Sequence, residues 1–159
     1  MNGTPELLYE DTPPSAAGLV AAVVAFLIIG DLLLGFFIPE ILGIMAVTAV
    51  FEAALFYFIV PRKYQVMSDR LRIRLGGPIK MDMPFSTIKE ARPGKGTEAW
   101  VYWGLRLATS SRGVVEIIRR GGGLDAVISP RDRETFLEQL NLAMAAAGGG
   151  LKTTTIRLN

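Results

Sequence analysis

The sequence predicts an α+β protein in two parts, a two-helix transmembrane hairpin followed by a seven-stranded β-barrel or sandwich capped by a C-terminal α-helix. Three observations predict it. Two apolar runs, residues 16–38 and 41–60, carry one charge each, Asp31 and Glu52. From Tyr64 onward the hydrophobic period changes to two, the mark of half-buried strands. After Ser129-Pro130 the period becomes helical again.

The apolar runs are 23 and 20 residues long. A helix rising about 1.5 Å per residue needs about 20 residues to cross roughly 30 Å of hydrocarbon. Only Pro39 and Glu40 separate them, so the pair reads as a hairpin. Small residues in each (Gly18, Ala21, Ala22 and Ala25; Gly43, Ala46, Ala49 and Ala53) are expected to let helices approach closely, within the hairpin or between protomers. Residues 1–60 hold six acids and no Lys or Arg; all 17 bases follow Val60, against nine acids, so that part carries 17 − 9 = +8. Positive flanks stay inside the cell. Both the N-terminus and the soluble domain are therefore expected on the cytoplasmic side of the cell membrane, with the Pro39-Glu40 joint outside. A cleaved signal peptide is not expected. The division is a flexible lead-in over 1–15, the hairpin over 16–60, the soluble domain over 62–147 and a tail over 148–159, where Thr153 to Ile156 has the composition of an edge strand.

The chain has neither cysteine nor histidine. Disulfides, thiolate nucleophiles, His-based triads and zinc sites are thereby excluded, and no cofactor, metal or catalytic residue is expected. Gly76-Gly77 and Gly121-Gly122-Gly123 lack the Lys-Ser/Thr and following helix of a phosphate loop and read as turns. No nucleic-acid module is present. Inside the apolar runs, Asp31 and Glu52 are costly in hydrocarbon and so mark helix association or proton and ion movement. Thr48, four residues before Glu52, is placed to donate to it.

Strands are expected over 64–66, 70–75, 79–83, 87–91, 101–108, 114–119 and 124–129. Leu71, Ile73 and Leu75 alternate with Arg70, Arg72 and Arg74. A three-residue loop from Gly76 to Pro78 sets Leu75 opposite Ile79 and Arg72 opposite Asp82, keeping the apolar faces together. In residues 101–105 the alternation sends Val101, Trp103 and Leu105 inward and Trp100 and Tyr102 outward. Ser129 is the expected N-cap of the last helix, with Asp132 in its first turn. Phe136, Leu137, Leu140, Ala143, Met144 and Ala147 form its apolar face, and Gly148 to Gly150 its end.

Two membrane helices followed by such a domain resemble the prokaryotic pleckstrin-homology (PH) domain membrane proteins. The residues that carry the resemblance are Tyr64-Gln65-Val66, Arg70-Leu71-Arg72-Ile73, Met83-Pro84-Phe85-Ser86-Thr87-Ile88, and Val127-Ile128-Ser129-Pro130 leading to Phe136 and Leu140. The resemblance implies a PH-like barrel, a membrane location and no catalytic activity. Eukaryotic phosphoinositide-binding PH domains place a Lys on the first strand and Arg-x-Arg on the second. Arg72-x-Arg74 matches the latter, but Lys63 stands at the wrong end of its strand, so specific inositol-lipid recognition is not expected.

Binding candidates are Arg70, Arg72 and Arg74, for anionic lipid headgroups or a partner, and Trp100 and Tyr102, for an interface or a protein. The expected function is a non-enzymatic, membrane-anchored PH-like module for protein contact, scaffolding or self-association. The alternatives are a small transport or proton-linked component working through Asp31 and Glu52, and anionic-lipid sensing by the soluble domain.

Overall fold

The computed structural model describes residues 4–14 and 16–148; the expectations for Gly149, Gly150 and residues 151–159 lie outside them. Among those residues eight strands and three α-helices follow in order. They are β1 (Leu7–Asp11), α1 (Ala16–Phe37), α2 (Leu42–Ile59), β2 (Lys63–Met67), β3 (Arg70–Arg74), β4 (Lys80–Pro84), β5 (Ile88–Pro93), β6 (Leu105–Leu107), β7 (Val115–Arg119), β8 (Ala126–Ile128) and α3 (Arg133–Ala146).

The strands form two four-stranded sheets, ordered β1-β2-β3-β4 and β5-β7-β8-β6. In the first sheet Leu71 opposes Met83, Arg72 opposes Asp82 and Ile73 opposes Met81, while the Leu75 N–H donates to the Ile79 carbonyl at 3.0 Å. That is the register required by the apolar alternation. In the second sheet β7 is antiparallel to β5 and β8, whereas β6 runs parallel to β8. A 3-10 turn, Phe85–Thr87, carries the chain from one sheet to the other and buries Phe85. Between the sheets and α3 lies one core that includes Tyr64, Leu71, Ile73, Met83, Ile117, Ile128, Phe136 and Leu140. Each large side chain so buried contributes roughly 1.5–3 kcal/mol.

The lead-in is not a loose segment. Residues Leu7–Asp11 form a strand that pairs with β2, giving eight strands where seven are read from the sequence. Leu7 opposes Met67 but Tyr9 opposes Val66, so Leu8 is an extra residue, a bulge. Beyond it Tyr9 turns inward and meets Phe136 edge-to-face, ring centroids 6.2 Å apart. The Asp11 side chain is buried and accepts from the Asp132 N–H at 3.0 Å.

The apolar stretch is therefore an insertion between two neighbouring strands, with Asp11 opposite Tyr64 at its two ends. α1 and α2 match the expected bounds within a residue, pack against each other and join through a 3-10 turn, Pro39–Ile41. Among the described residues one helix is long and apolar enough to cross a membrane, Pro39–Ile59, and Ala21–Phe37 is a shorter apolar helix. The small-residue stripes divide differently from expectation. Ala49 and Ala53 are half-buried, but Ala21, Ala22, Ala25, Gly43 and Ala46 face outward, and a Cβ on Gly43 would touch nothing. The bulkier Leu27, Ile28 and Met45 are the half-buried ones instead.

α2 ends against the soluble domain. Pro61 stops the helix, and the Gly76 N–H in the β3–β4 turn donates to the Phe58 carbonyl at 3.2 Å. A Cβ on Gly76 would lie 1.7 Å from the Tyr57 carbonyl oxygen, so glycine is required for that close approach. At the other end of the chain Asp132, not Ser129, caps α3, accepting from the Thr135 N–H at 3.1 Å. The Ser129 hydroxyl is wholly buried and accepts instead from the Thr109 and Ser110 N–H groups.

Candidate functional site

The outer face of the first sheet carries its polar residues in rows across the strands. One row runs Glu10, Gln65, Arg72, Asp82, and the next, nearer the helices, runs Lys63, Arg74, Lys80. Arg72 grips Asp82 with two bonds of 2.7 and 2.9 Å, and Arg70 reaches the same carboxylate at 3.1 Å while holding Asp69 at 2.7 and 2.9 Å. The bonds from Arg72, then Arg70, hold the Asp82 carboxyl below the usual carboxylate range, and Arg70 and Arg72 are correspondingly raised. Two of the three expected binding arginines are thus committed within the sheet. Arg74 is exposed and, among the described residues, has no acidic partner.

Because the folded pKa of Asp82 is depressed, its contribution is complete at neutral pH and is lost as pH falls below about 4 through the folded value. Asp82→Asn is expected to cost about 1–2 kcal/mol at pH 7. Urea denaturation at pH 7 and pH 3 checks this: the difference between wild type and variant shrinks at the lower pH.

Sequence reasoning puts Lys80 beside Asp82 on the polar face of its strand but names neither Lys80 nor Lys63 as a binding residue. Lys63 pairs with Glu10 at 2.5 Å, and the other Glu10 oxygen accepts from Gln65 at 2.6 Å. These bonds, that from Lys63 foremost, lower the Glu10 carboxyl. Arg62 lies over the Tyr57 ring, 5.3 Å from its centroid. A groove lined by Leu7, Gln65, Met67, Arg72, Arg74, Pro78 and Lys80 follows the face toward the helix ends. The available signal was Arg74-(x)5-Lys80, two cations flanking a chargeless turn.

The aromatic segment departs from expectation. Residues 96–99 form a 3-10 turn (Gly96–Ala99), and strand β6 begins only at Leu105, so no ladder imposes alternation between them. Ala99 and Tyr102 pack over the outer face of the second sheet against Val114 and Val127. The Tyr102 hydroxyl donates to Glu116 at 2.9 Å, and Arg92 donates to the other Glu116 oxygen at 2.7 Å. Burial and the neighbouring carboxylate raise Tyr102. Tyr102 therefore points inward and Trp103 outward, the reverse of the period-two reading. Trp103 is 98% exposed, Val101 78% and Trp100 56%, and the Trp100 carbonyl is held by the Arg106 guanidinium.

Asp31 and Glu52 both lie half-buried in the helix pair, and Asp31 Oδ2 and Glu52 Oε2 are shielded with no hydrogen-bond partner. Thr48 does not serve Glu52. Its hydroxyl donates to the Ile44 carbonyl at 3.0 Å, the usual back-bond of a threonine within a helix. Among the described residues no group of three acidic, His or Cys side chains is placed to hold a metal ion.

Neither the curated proteins nor the solved structures hold a match to this chain. Comparison with protein families matches residues 62–143, more than half of the chain, to the bacterial PH domain. That span starts at β2 and covers both sheets except β1, together with most of α3. The chain belongs to the bacterial PH-domain family.

Proposed function

We propose that this protein is a membrane-anchored, non-catalytic interaction module, a PH-like domain held at the cytoplasmic face by α1 and α2, both of which cross the bilayer. The observation that carries the reading is the position of the apolar insertion. Its two ends are neighbours in one sheet, so if α2 crosses the bilayer, α1 must cross it too. Side chains on both helices, among them Phe26, Phe36, Phe37, Val47, Val50 and Phe51, are each at least 65% exposed. An apolar surface of that extent is stable in lipid and not in water. The placing of every Lys and Arg after Val60 supports the inside as the side of the domain.

The exposed Trp100, Val101 and Trp103 supply the surface for protein contact or scaffolding. Large aromatics that project without packing in the monomer are the residue types that dominate interface energies.

The chain has no cysteine, so single introduced thiols report without background. With intact cells, a membrane-impermeant maleimide is expected to label Glu40→Cys and to leave Ser111→Cys unlabelled until the cells are lysed. Labelling of Ser111→Cys on intact cells, or release of the full chain by alkaline carbonate, refutes the anchored reading.

A further inference from the structure

The two ends of β6 face different surroundings. At its lower end the Thr109 hydroxyl donates to the Pro14 carbonyl at 3.2 Å, just ahead of α1. Before its upper end stands Trp103, the residue farthest from packing in the soluble domain at 98% exposed. The Leu105 N–H donates to the Asp125 carbonyl at 2.8 Å, and a Cβ on Gly104 would run into the same oxygen, so the chain is pressed there against the β7–β8 turn. Leu105 opposes Ala126, and Ala126 opposes Ile117. Continued past the ladder ends, those registers bring Trp103, Leu124 and Arg119 into one row across three strands, a span of about 10 Å. Leu124 is 60% exposed. An apolar rim thus closes the end of the sheet that is turned away from the helices.

The rim is cationic as well. Arg119 ends β7, Arg120 follows it, and Arg106 lies on β6 itself. None of the three has an acidic partner among the described residues. The Arg119 Nε is shielded and makes no hydrogen bond, and a Cβ on Gly123 would press on its guanidinium, which therefore rests on the glycine turn without a counter-ion. Asp125, the acid beside it, spends its Oδ1 on the Arg119 N–H at 2.7 Å. Arg106 holds the Trp100 carbonyl and walls a shallow hollow together with Trp100, Val101, Tyr102 and Trp103.

We propose that this rim docks an acidic segment of a partner protein. One bulky apolar side chain of that segment enters the hollow between Trp100 and Trp103, and flanking Asp or Glu residues meet Arg106, Arg119 and Arg120. The inference rests on the reading of the exposed aromatics as a protein-contact surface and names the chemistry of what they contact. Trp and Arg are the residue types that dominate interface energies. Three cations without counter-ions fix the sign of the charge that complements them. A lipid surface does not fit, because the rim lies at the far end of β6 from the helix entry. Single-stranded nucleic acid fits poorly too, since it needs successive flat rings along a basic track, and Val101 and Leu124 interrupt the aromatics here.

The test pans a random dodecapeptide library on the immobilised full chain in mild detergent. Selected peptides are expected to share a clear excess of Asp and Glu around one Leu, Phe or Trp. A fluorescent synthetic copy of the most enriched peptide is expected to bind with a Kd of about a micromolar, more weakly as salt rises. Trp103→Ala is expected to weaken it about 30-fold, and Arg119→Gln with Arg120→Gln about tenfold with a flatter response to salt. Trp103 is almost wholly exposed, so its loss leaves the melting temperature unchanged, and Arg74→Gln on the other sheet leaves binding unchanged. Undiminished binding by Trp103→Ala, tighter binding of oligouridine or of phosphatidylglycerol vesicles at the same residues, or dimers of the full chain that Trp103→Ala dissolves each overturn the proposal. Selected peptides that need Trp103 but lack the acidic excess overturn it too, while leaving the contact surface standing. External labelling of Ser111→Cys beside an intact acidic selection would sink the anchored reading and not the dock.

Discussion

A fragment that begins at Arg62 is expected not to fold. The same fragment with residues 4–12 fused ahead of it through a short glycine-serine linker is expected to give a cooperative soluble domain. Without β1 the sheet loses its pairing along β2, the Tyr9 contact on Phe136, the Asp11 acceptor at the head of α3 and the bond from the Ser68 N–H to the Glu6 carbonyl at 2.8 Å. At about 1 kcal/mol for each hydrogen bond, the total reaches roughly 4 kcal/mol or more, against the 5–15 kcal/mol that stabilise ordinary domains. It also bares the inner edge of β2. Asp11 opposes Tyr64, so a linker of a few residues can replace the whole helical insertion. Circular dichroism and thermal melts of the two polypeptides decide it: equal melting temperatures would mean that β1 contributes nothing.

Phe136→Ala is expected to destabilise the linked domain by about 3–5 kcal/mol, the usual cost of an aromatic deletion in a closed core. Phe136 is wholly buried, and its ring meets both Tyr9 and Tyr64 edge-to-face at 6.2 Å. Tyr64 is fixed in turn by its hydroxyl, which donates to the Leu107 carbonyl at 2.6 Å across the two sheets. α3, β1, β2 and β6 therefore share one contact point, and removing the ring leaves a void that none of them can fill alone. Urea titration measures the loss, and a cost below about 1.5 kcal/mol would show that the site collapses around the gap.

Much of this fold is legible in the sequence because it follows from periodicity. The alternation of Leu71, Ile73 and Leu75 with three arginines fixes both a strand and its face, and the chargeless turn after it fixes the register to β4. Helix ends are marked by Pro39 and Pro61. The parts that escape are those settled by distant partners. β1 hides because the bulge at Leu8 interrupts the alternation and because its partner lies some fifty residues downstream, past the insertion. Residues 100–103 alternate in sequence but lie across a sheet instead of within one, so the Glu116 carboxylate, not the period, decides that Tyr102 turns in.

The candidate site divides the same way. Arg70, Arg72 and Arg74 are equivalent as letters. Only the sheet distinguishes them, by giving Asp82 to two and nothing to the third. The small residues of α1 and α2 likewise suggest close packing, yet most of them are exposed, and bulkier Leu27, Ile28 and Met45 are half-buried in their stead.

The domain is moored to its helices by two chain crossings, β1 into α1 and α2 into β2, with the Gly76–Phe58 bond beside the second. A body on one tether swivels; a body on two does not. Held so, the domain keeps one heading relative to its helices, and the exposed Trp103 keeps it too.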